Sequence, residues 1–384
     1  MFSDPPPTAS VGSDSHCLIC SHPEWRLVVR APDFEYRCRP GEWSLAECTR
    51  CGHVSVHPLP EVADVPALYP PWYYTVNRKS PIYMEGPVVE AKMVKDAENF
   101  RRRLGGLAVK SVVDVGGGNL TRLIKLKEVF SRPPSEGRAP RALGGEGARG
   151  CDGARPSEMR PSEIEAVCLD LQFDAAVLRQ AEAAGLRCVT GNVETDVSAL
   201  RDGGHEFIML RQLIEHLRDP RAALRQLLPK LAPGGVLYVE TPNRGGWDHR
   251  LFRRRFWGGY HIPRHFHLFT QESLGGLLRE CGYEVMQAGC TPSIAFWIIS
   301  LRNALGLNSI ERGRSLWEFL NLKSLPVVGA FYVLDLLWLK LGGATSNQFV
   351  FARRAEAQLG HPLAPPPPAG LSGAQALKMN PPDP

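Results

Sequence analysis

Four cysteines in two C-x-x-C pairs, Cys17 with Cys20 (CLIC) and Cys48 with Cys51 (CTRCG), are the first residues of this 384-residue chain whose spacing could do chemistry. Two such knuckles place four thiolates tetrahedrally around Zn²⁺, and Gly52 allows the tight turn of the second. Residues 21–47 separate the pairs, a longer spacer than a zinc ribbon normally has, and they contain Cys38, an alternative ligand. Disulfides are disfavoured because the polar, proline-rich start (MFSDPPPTASVGSDS) lacks the charged-then-apolar layout of a signal peptide. A redox role is disfavoured because there are two pairs and no thioredoxin-like surroundings. Four protein ligands close the shell, so a zinc ion here would hold a fold together and not catalyse.

A second constellation is SVVDVGGGNLTRLI, residues 111–124, where three glycines follow a strand-like run. A dinucleotide fingerprint would need glycine at position 121, which is Thr121, and no G-K-[ST] follows to make a phosphate loop. What stands here is acid-x-Gly-x-Gly: Asp114, Gly116 and Gly118, with Gly117 between them. It resembles the first motif of class I S-adenosylmethionine (SAM) methyltransferases. SAM offers an amino acid, a sulfonium and an adenosine, so the backbone must come close to it without a phosphate clamp.

Elements that could position such a loop follow in order. IEAVCLDLQ (164–172) reads as a strand ending at Asp170, and LRCVTGNVET as a third strand that leads to Asn192 and Val193. EFIMLRQLIEHLRDP is a fourth strand running into a turn. Leu224, Leu227, Leu228 and Leu231 predict an amphipathic helix over 218–231 that stops at Pro233-Gly234-Gly235, before the strand VLYVETPN. Thr270 caps a helix (QESLGGLLREC), Gly282 ends it, YEVMQ is the next strand and NQFVFARR the last. Alternating strands and helices predict an α/β fold: a doubly wound, mostly parallel Rossmann-like sheet with ligands at the carboxyl ends of its strands.

C-x-x-C…C-x-x-C-G, HPLP, YPPWYY, DVGGG, IEHL, LAPGGVLYVETPN and PRHFHLFTQESLGGLLRECGYEV occur in this order. The chain thereby resembles bacterial class I SAM-dependent methyltransferases with an N-terminal zinc-binding segment, akin to sugar C-methyltransferases. The likeness covers about Cys17 to Arg354, apart from an insert. It implies that Asp114, Gly116, Gly117 and Gly118 line SAM and that Asp170 binds its ribose. Leu171, Asn192, Val193 and Arg211 complete the implied cofactor set, and Cys17, Cys20, Cys48 and Cys51 the metal set. Asn192 stands where an aspartate is usual, and Leu120 where a third glycine is frequent.

Methyl transfer needs an aligned acceptor and, for hydroxyl or carbon acids, removal of a proton. Glu215 and His216 follow the fourth strand directly, and His216 with an ordinary pKa of about 6.5 is the expected base or orienting group. Capping of the next helix is the blander role for His216. His265 is the next candidate, beside His261, Arg264 and His267 in YHIPRHFHLF, a loop that buried histidines could equally just stabilise. Tyr69, Trp72, Tyr73 and Tyr74 could wall the pocket or dock a small domain; Arg253, Arg254 and Arg255 could meet an anion or water.

The expected organisation is a disordered start (1–15), a zinc-binding module (16–75), a SAM-binding core (76–289), a helical cap (290–346), a last core strand (347–354) and a disordered tail (355–384). Asp114 and Asp170 stand 56 residues apart, about twice what a strand–helix–strand unit needs, and residues 131–162 carry no hydrophobic period. The net charge of +5, spread along the chain, does not call for a nucleic-acid partner. The apolar run from Pro326 is too short for a membrane span and carries Asp335 and Lys340. A soluble, cytoplasmic enzyme acting on a small-molecule acceptor is expected, with homo-oligomers allowed by the apolar helices after Cys290. The alternatives are an RNA methyltransferase that holds nucleic acid with its zinc module, and a non-enzymatic zinc- and SAM-binding scaffold.

Overall fold

Three antiparallel strands come first: β1 (Trp25–Ala31), β2 (Trp43–Cys48) and β3 (Val54–Val56). They belong to a computed structural model that describes residues 16–73, 86–118, 120–132, 164–307 and 319–356. Residues 1–15, all but the first two residues of the insert 131–162, all but the first two of the tail 355–384, and Tyr74 lie outside the described residues. The chain continues through α1 (Pro87–Arg103), β4 (Ser111–Val115), α2 (Thr121–Phe130), β5 (Glu165–Asp170), α3 (Ala175–Ala183), β6 (Arg187–Thr190) and β7 (His205–Arg211). Then follow α4 (Pro220–Leu227), β8 (Leu231–Pro242), α5 (Trp247–Phe252), β9 (His267–Leu268), α6 (Gln271–Glu280), β10 (Tyr283–Thr291), α7 (Ile294–Ala304), α8 (Leu325–Lys340) and β11 (Asn347–Arg354).

The large sheet has the order β10-β11-β8-β7-β4-β5-β6. Its pairs from β6 to β8 are parallel, while β11 runs antiparallel to both β8 and β10. Every residue of β4 is buried, as expected of a strand covered on both faces. Val113, Val115, Ile208 and Leu210 supply one core; Val112, Phe207 and Met209 supply the other. From β4 the chain winds outward to β6, then returns to β7 on the opposite side. The strand order therefore reverses between β4 and β7, the place at whose carboxyl ends doubly wound sheets bind their ligands.

The helix expected over 218–231 is shorter than its leucine periodicity. Asp219 caps α4 by accepting the Ala222 N–H at 3.0 Å, with Pro220 in the first turn. The helix ends at Leu227 because Pro229 has no N–H to donate, so a single 3-10 turn follows and Leu231 already belongs to β8. The cap at Thr270 is as expected, with Thr270 and Ser273 bonding each other's main chain.

The N-terminal strands share their core with the rest of the protein. β9 adds to β3 as a fourth strand (Val54 opposite Leu268, Ser55 opposite His267). Cys17, Ile19, Trp25 and Cys48 join one core of the large sheet, while Val29, Leu45 and Val56 pack with Trp257, Tyr260 and Ile262. α7 and α8 connect β10 to β11 and are pinned by Asp335, which accepts from Ser293 N–H (2.6 Å), Trp297 Nε1 (3.0 Å) and Trp247 Nε1 (3.3 Å). Among the described residues no helix is long and apolar enough to cross a membrane.

Candidate functional site

The glycine loop leaves β4 at the reversal point. Gly116 (φ +69°) and Gly118 (φ +54°) lie in the left-handed region that favours glycine. Among the described residues, chain neighbours aside, a Cβ at Gly118 would meet nothing within 4 Å, whereas at Gly116 it would come within 2.8 Å of Leu213 and at Gly117 within 2.9 Å of Asp114 Oδ2. The loop is thus closed beneath and open above. Asp170, ending β5, accepts from Gly118 N–H (3.3 Å) and Leu171 N–H (2.7 Å), and burial raises its pKa. Leu171 beside it is 65% exposed, an apolar surface facing solvent next to a carboxylate. Burial pushes Asp114 up to about 7, against the pull of Arg211 and with reinforcement from Asp170.

The remaining implied cofactor residues are placed differently. Val193 packs into the core, and Asn192 Oδ1 accepts the Glu194 N–H (2.9 Å) to close its own turn. Arg211 is gripped by Glu240 of β8 (Nε–Oε2 2.7 Å, Nη2–Oε1 3.0 Å), because a guanidinium taken out of water needs a carboxylate partner. That pairing anchors Arg211 to the neighbouring strand.

After β7, Gln212 adopts a left-handed backbone (φ +49°), and Leu213 then lies against Gly116. The next turn carries Glu215 and His216. Glu215 is fully buried; Oε2 accepts from Thr241 Oγ1 (2.8 Å), and Oε1 has no hydrogen-bond partner among the described residues. Burial moves its pKa up to about 8. His216 Nδ1 sits 3.0 Å from the Arg264 carbonyl and 3.1 Å from the Tyr69 hydroxyl. A carbonyl only accepts, so Nδ1 carries the proton and Nε2 keeps its lone pair. His265 Nδ1 likewise donates to the Gly259 carbonyl at 2.8 Å, and its Nε2 lies 4.0 Å from Glu215 Oε1. The two imidazoles are 4.7 Å apart, centre to centre.

These surroundings correct the reasoning for His216. Burial, with His261 adding to it, holds its pKa near 3, far from the ordinary imidazole value, so it is poorly matched to proton removal at neutral pH. Nor does it cap a helix; Asp219 does that. His216 is a neutral group with one fixed ring orientation.

The wall over this turn comes from the N-terminal segment. Tyr73 OH lies 2.9 Å from His261 Nε2, and His261 Nδ1 lies 2.7 Å from Glu35. Arg264, fully buried, is bound by Asp33 (Nη2–Oδ2 2.6 Å, Nη1–Oδ1 3.2 Å) and by the Leu68 carbonyl (2.6 Å), and it lies over the Tyr36 ring. His267 pairs instead with His53 (3.0 Å), and Arg255 with Glu42 (3.1 Å). Asp33 and Glu35 carried no motif or period, and Thr241, although inside LAPGGVLYVETPN, gave no sign of its bond to Glu215. Asp33 accepts main-chain N–H groups from Tyr36 and Cys38, so its sequence context could signal a turn but not its partner 231 residues away.

The four predicted metal cysteines come together. Cys17 and Cys51 sulfurs are 3.6 Å apart, Cys20 and Cys48 3.5 Å, and one sulfur from each lies within 4.8 Å of the others. Thiolates at about 2.3 Å from a tetrahedral ion would be about 3.8 Å apart. Cys38 stands elsewhere, 3.2 Å from Arg264 Nη2.

The family profile described as a methyltransferase domain matches residues 90–288. No curated protein matches the chain. Among solved structures, a SAM-dependent methyltransferase from Archaeoglobus fulgidus is 14% identical over 69% of this chain and 94% of its own, with a TM-score of 0.39. The cyclase SpnF is 13% identical over 68% of this chain and 80% of its own, with a TM-score of 0.41. Such distant likenesses carry no argument about the acceptor. The profile match spans more than half of the sequence, and the chain therefore belongs to the methyltransferase-domain family: it is a SAM-dependent methyltransferase.

Proposed function

We propose that this enzyme methylates a small-molecule acceptor, a sugar nucleotide or a secondary-metabolite intermediate, bound between the glycine loop and the N-terminal wall. The observation that carries this reading is the contact of Leu213 with Gly116, which sets the Glu215–His216–His265 cluster directly beside the open loop. SAM fits what is there: Gly118 leaves room for it, Asp170 offers a carboxylate for ribose hydroxyls, and Leu171 offers apolar surface for adenine. SAM supplies an electrophilic methyl group. Tyr69, His216 and His265 then orient the acceptor, and the buried wall excludes water. Incubation of the chain with methyl-tritiated SAM and a cell extract, separated into small-molecule and RNA fractions, tests the reading. Label should accumulate with the small molecules; label in RNA alone would transfer the assignment to an RNA methyltransferase.

A structural zinc ion at Cys17, Cys20, Cys48 and Cys51 belongs to the same proposal. Burial, with the neighbouring thiols adding to it, pushes the Cys20 thiol up to about 12, and a dication would relieve that crowding. Because Cys17 and Cys48 also belong to the main core, losing the ion should be felt beyond the first strands. Cys20→Ser should lose about one zinc per chain by metal analysis and lower the melting temperature. Wild-type protein, freshly prepared and reduced, that contains no zinc would remove this site.

A further inference from the structure

We propose that Glu215, His216 and His265 hold a divalent first-row transition cation, with coordination positions left open for an oxygen of the acceptor. One donor atom from each residue lies within 4.8 Å of the others. Ligands at about 2.0–2.2 Å from one ion are about 3.0–3.6 Å apart, so closing the shell asks for shifts of an ångström or less.

Three features of the cluster point to an ion. Each histidine gives its Nδ1 proton to a main-chain carbonyl, of Arg264 or Gly259, which fixes the ring and aims the Nε2 lone pair away from that bond. Metal-bound histidines are held this way by their outer partners. Among the described residues, neither Nε2 has a hydrogen-bond partner. Glu215 Oε1 is a fully buried carboxyl oxygen with no hydrogen-bond partner among the described residues, a costly state that a cation would end. A protonated Glu215 donating to His265 does not account for it, because 4.0 Å is beyond hydrogen-bond reach.

The donor set names the class of ion. Two imidazoles and one carboxylate suit zinc, iron, manganese or cobalt, whereas calcium and magnesium favour all-oxygen shells. Three protein ligands leave positions free, unlike the four cysteines, whose shell would be closed. The proposal rests on the methyltransferase reading only for what the open positions face; the ion itself needs just the three side chains.

Manganese(II) alone is the probe, because thiolates are soft ligands and the cysteine cluster should not take it. Full-length protein, treated with chelator, reloaded with one equivalent of Zn²⁺ for the cysteine cluster and shown to be folded by circular dichroism, is titrated with Mn²⁺ and the free ion followed by electron paramagnetic resonance. One Mn²⁺ per chain is expected, with affinity reduced at least about tenfold in Glu215→Gln and in His265→Ala. If either variant fails to fold, His216→Asn, at the less buried of the two histidines, serves in its place. SAM affinity of the same variants, measured by calorimetry, should remain; a folded variant that keeps SAM but loses Mn²⁺ supports the site. Wild-type protein that binds no Mn²⁺, or folded variants that bind it as tightly as wild type, overturns it. Loss of SAM binding by wild type would count against the methyltransferase reading instead.

Discussion

Gly118→Val should abolish measurable SAM binding while leaving the chain folded. The backbone there has φ +54°, and an added Cβ would meet no described residue within 4 Å apart from its chain neighbours. The substitution therefore costs the fold only the left-handed strain of a non-glycine residue, about 1–2 kcal/mol. It places a branched side chain where the cofactor must lie. Gly116→Val is the less selective test, because its Cβ would also displace Leu213 and with it the turn that carries Glu215. Asp170→Ala complements both. Losing two charge-assisted bonds to ribose hydroxyls at about 1.5–3 kcal/mol each should weaken binding by roughly 10²–10⁴-fold. Calorimetry with SAM, alongside circular dichroism to establish folding, decides the matter. If folded Gly118→Val and Asp170→Ala both bind like wild type, the cofactor sits elsewhere.

What the sequence disclosed follows from how local each signal is. The glycine loop and Asp170 were legible because a strand end, a left-handed turn and an acid are fixed by neighbours in the chain. The cysteine set was legible because C-x-x-C encodes its own turn, although only the fold separates Cys38 from it: Cys38 is drawn to Arg264. The pairing of Arg211 with Glu240 was not legible, because Glu240 lies on an adjacent strand 29 residues away. The end of α4 was misread because leucine periodicity outvoted one proline, and Pro229 governs the backbone. Residue type identified His216, but its altered proton affinity comes from burial beneath loops distant in sequence, which spacing cannot register. Asp33 and Glu35 were invisible for the same reason: their partners lie 231 and 226 residues away.

That long-range pairing makes Asp33→Ala the most destabilising single change expected here. Arg264 is fully buried, and Asp33 is its one carboxylate hydrogen-bond partner among the described residues. Without Asp33 the guanidinium keeps the Leu68 carbonyl and the Tyr36 ring but loses its directly bound countercharge. Removing one member of a buried pair in this way costs about 3–5 kcal/mol. Urea unfolding at neutral pH should show a loss of that size, and Arg264→Ala should show a comparable one by stranding Asp33 instead. The pH dependence has a definite sign. Burial alone would raise the Asp33 pKa, but the Arg264 hydrogen bond and charge, with the main-chain N–H groups of Tyr36 and Cys38, bring it below the ordinary value. A depressed carboxylate pKa stabilises the folded state above the unfolded value of about 3.9, and that stability is lost as pH falls through the folded value. The gap between wild type and Asp33→Ala should therefore be full at pH 6–7 and narrow below about pH 4. Turnover should fall with stability, because the carbonyl that fixes His216 belongs to Arg264. A loss under about 1 kcal/mol, or a gap that widens in acid, would mean that the N-terminal segment does not anchor the site through this pair.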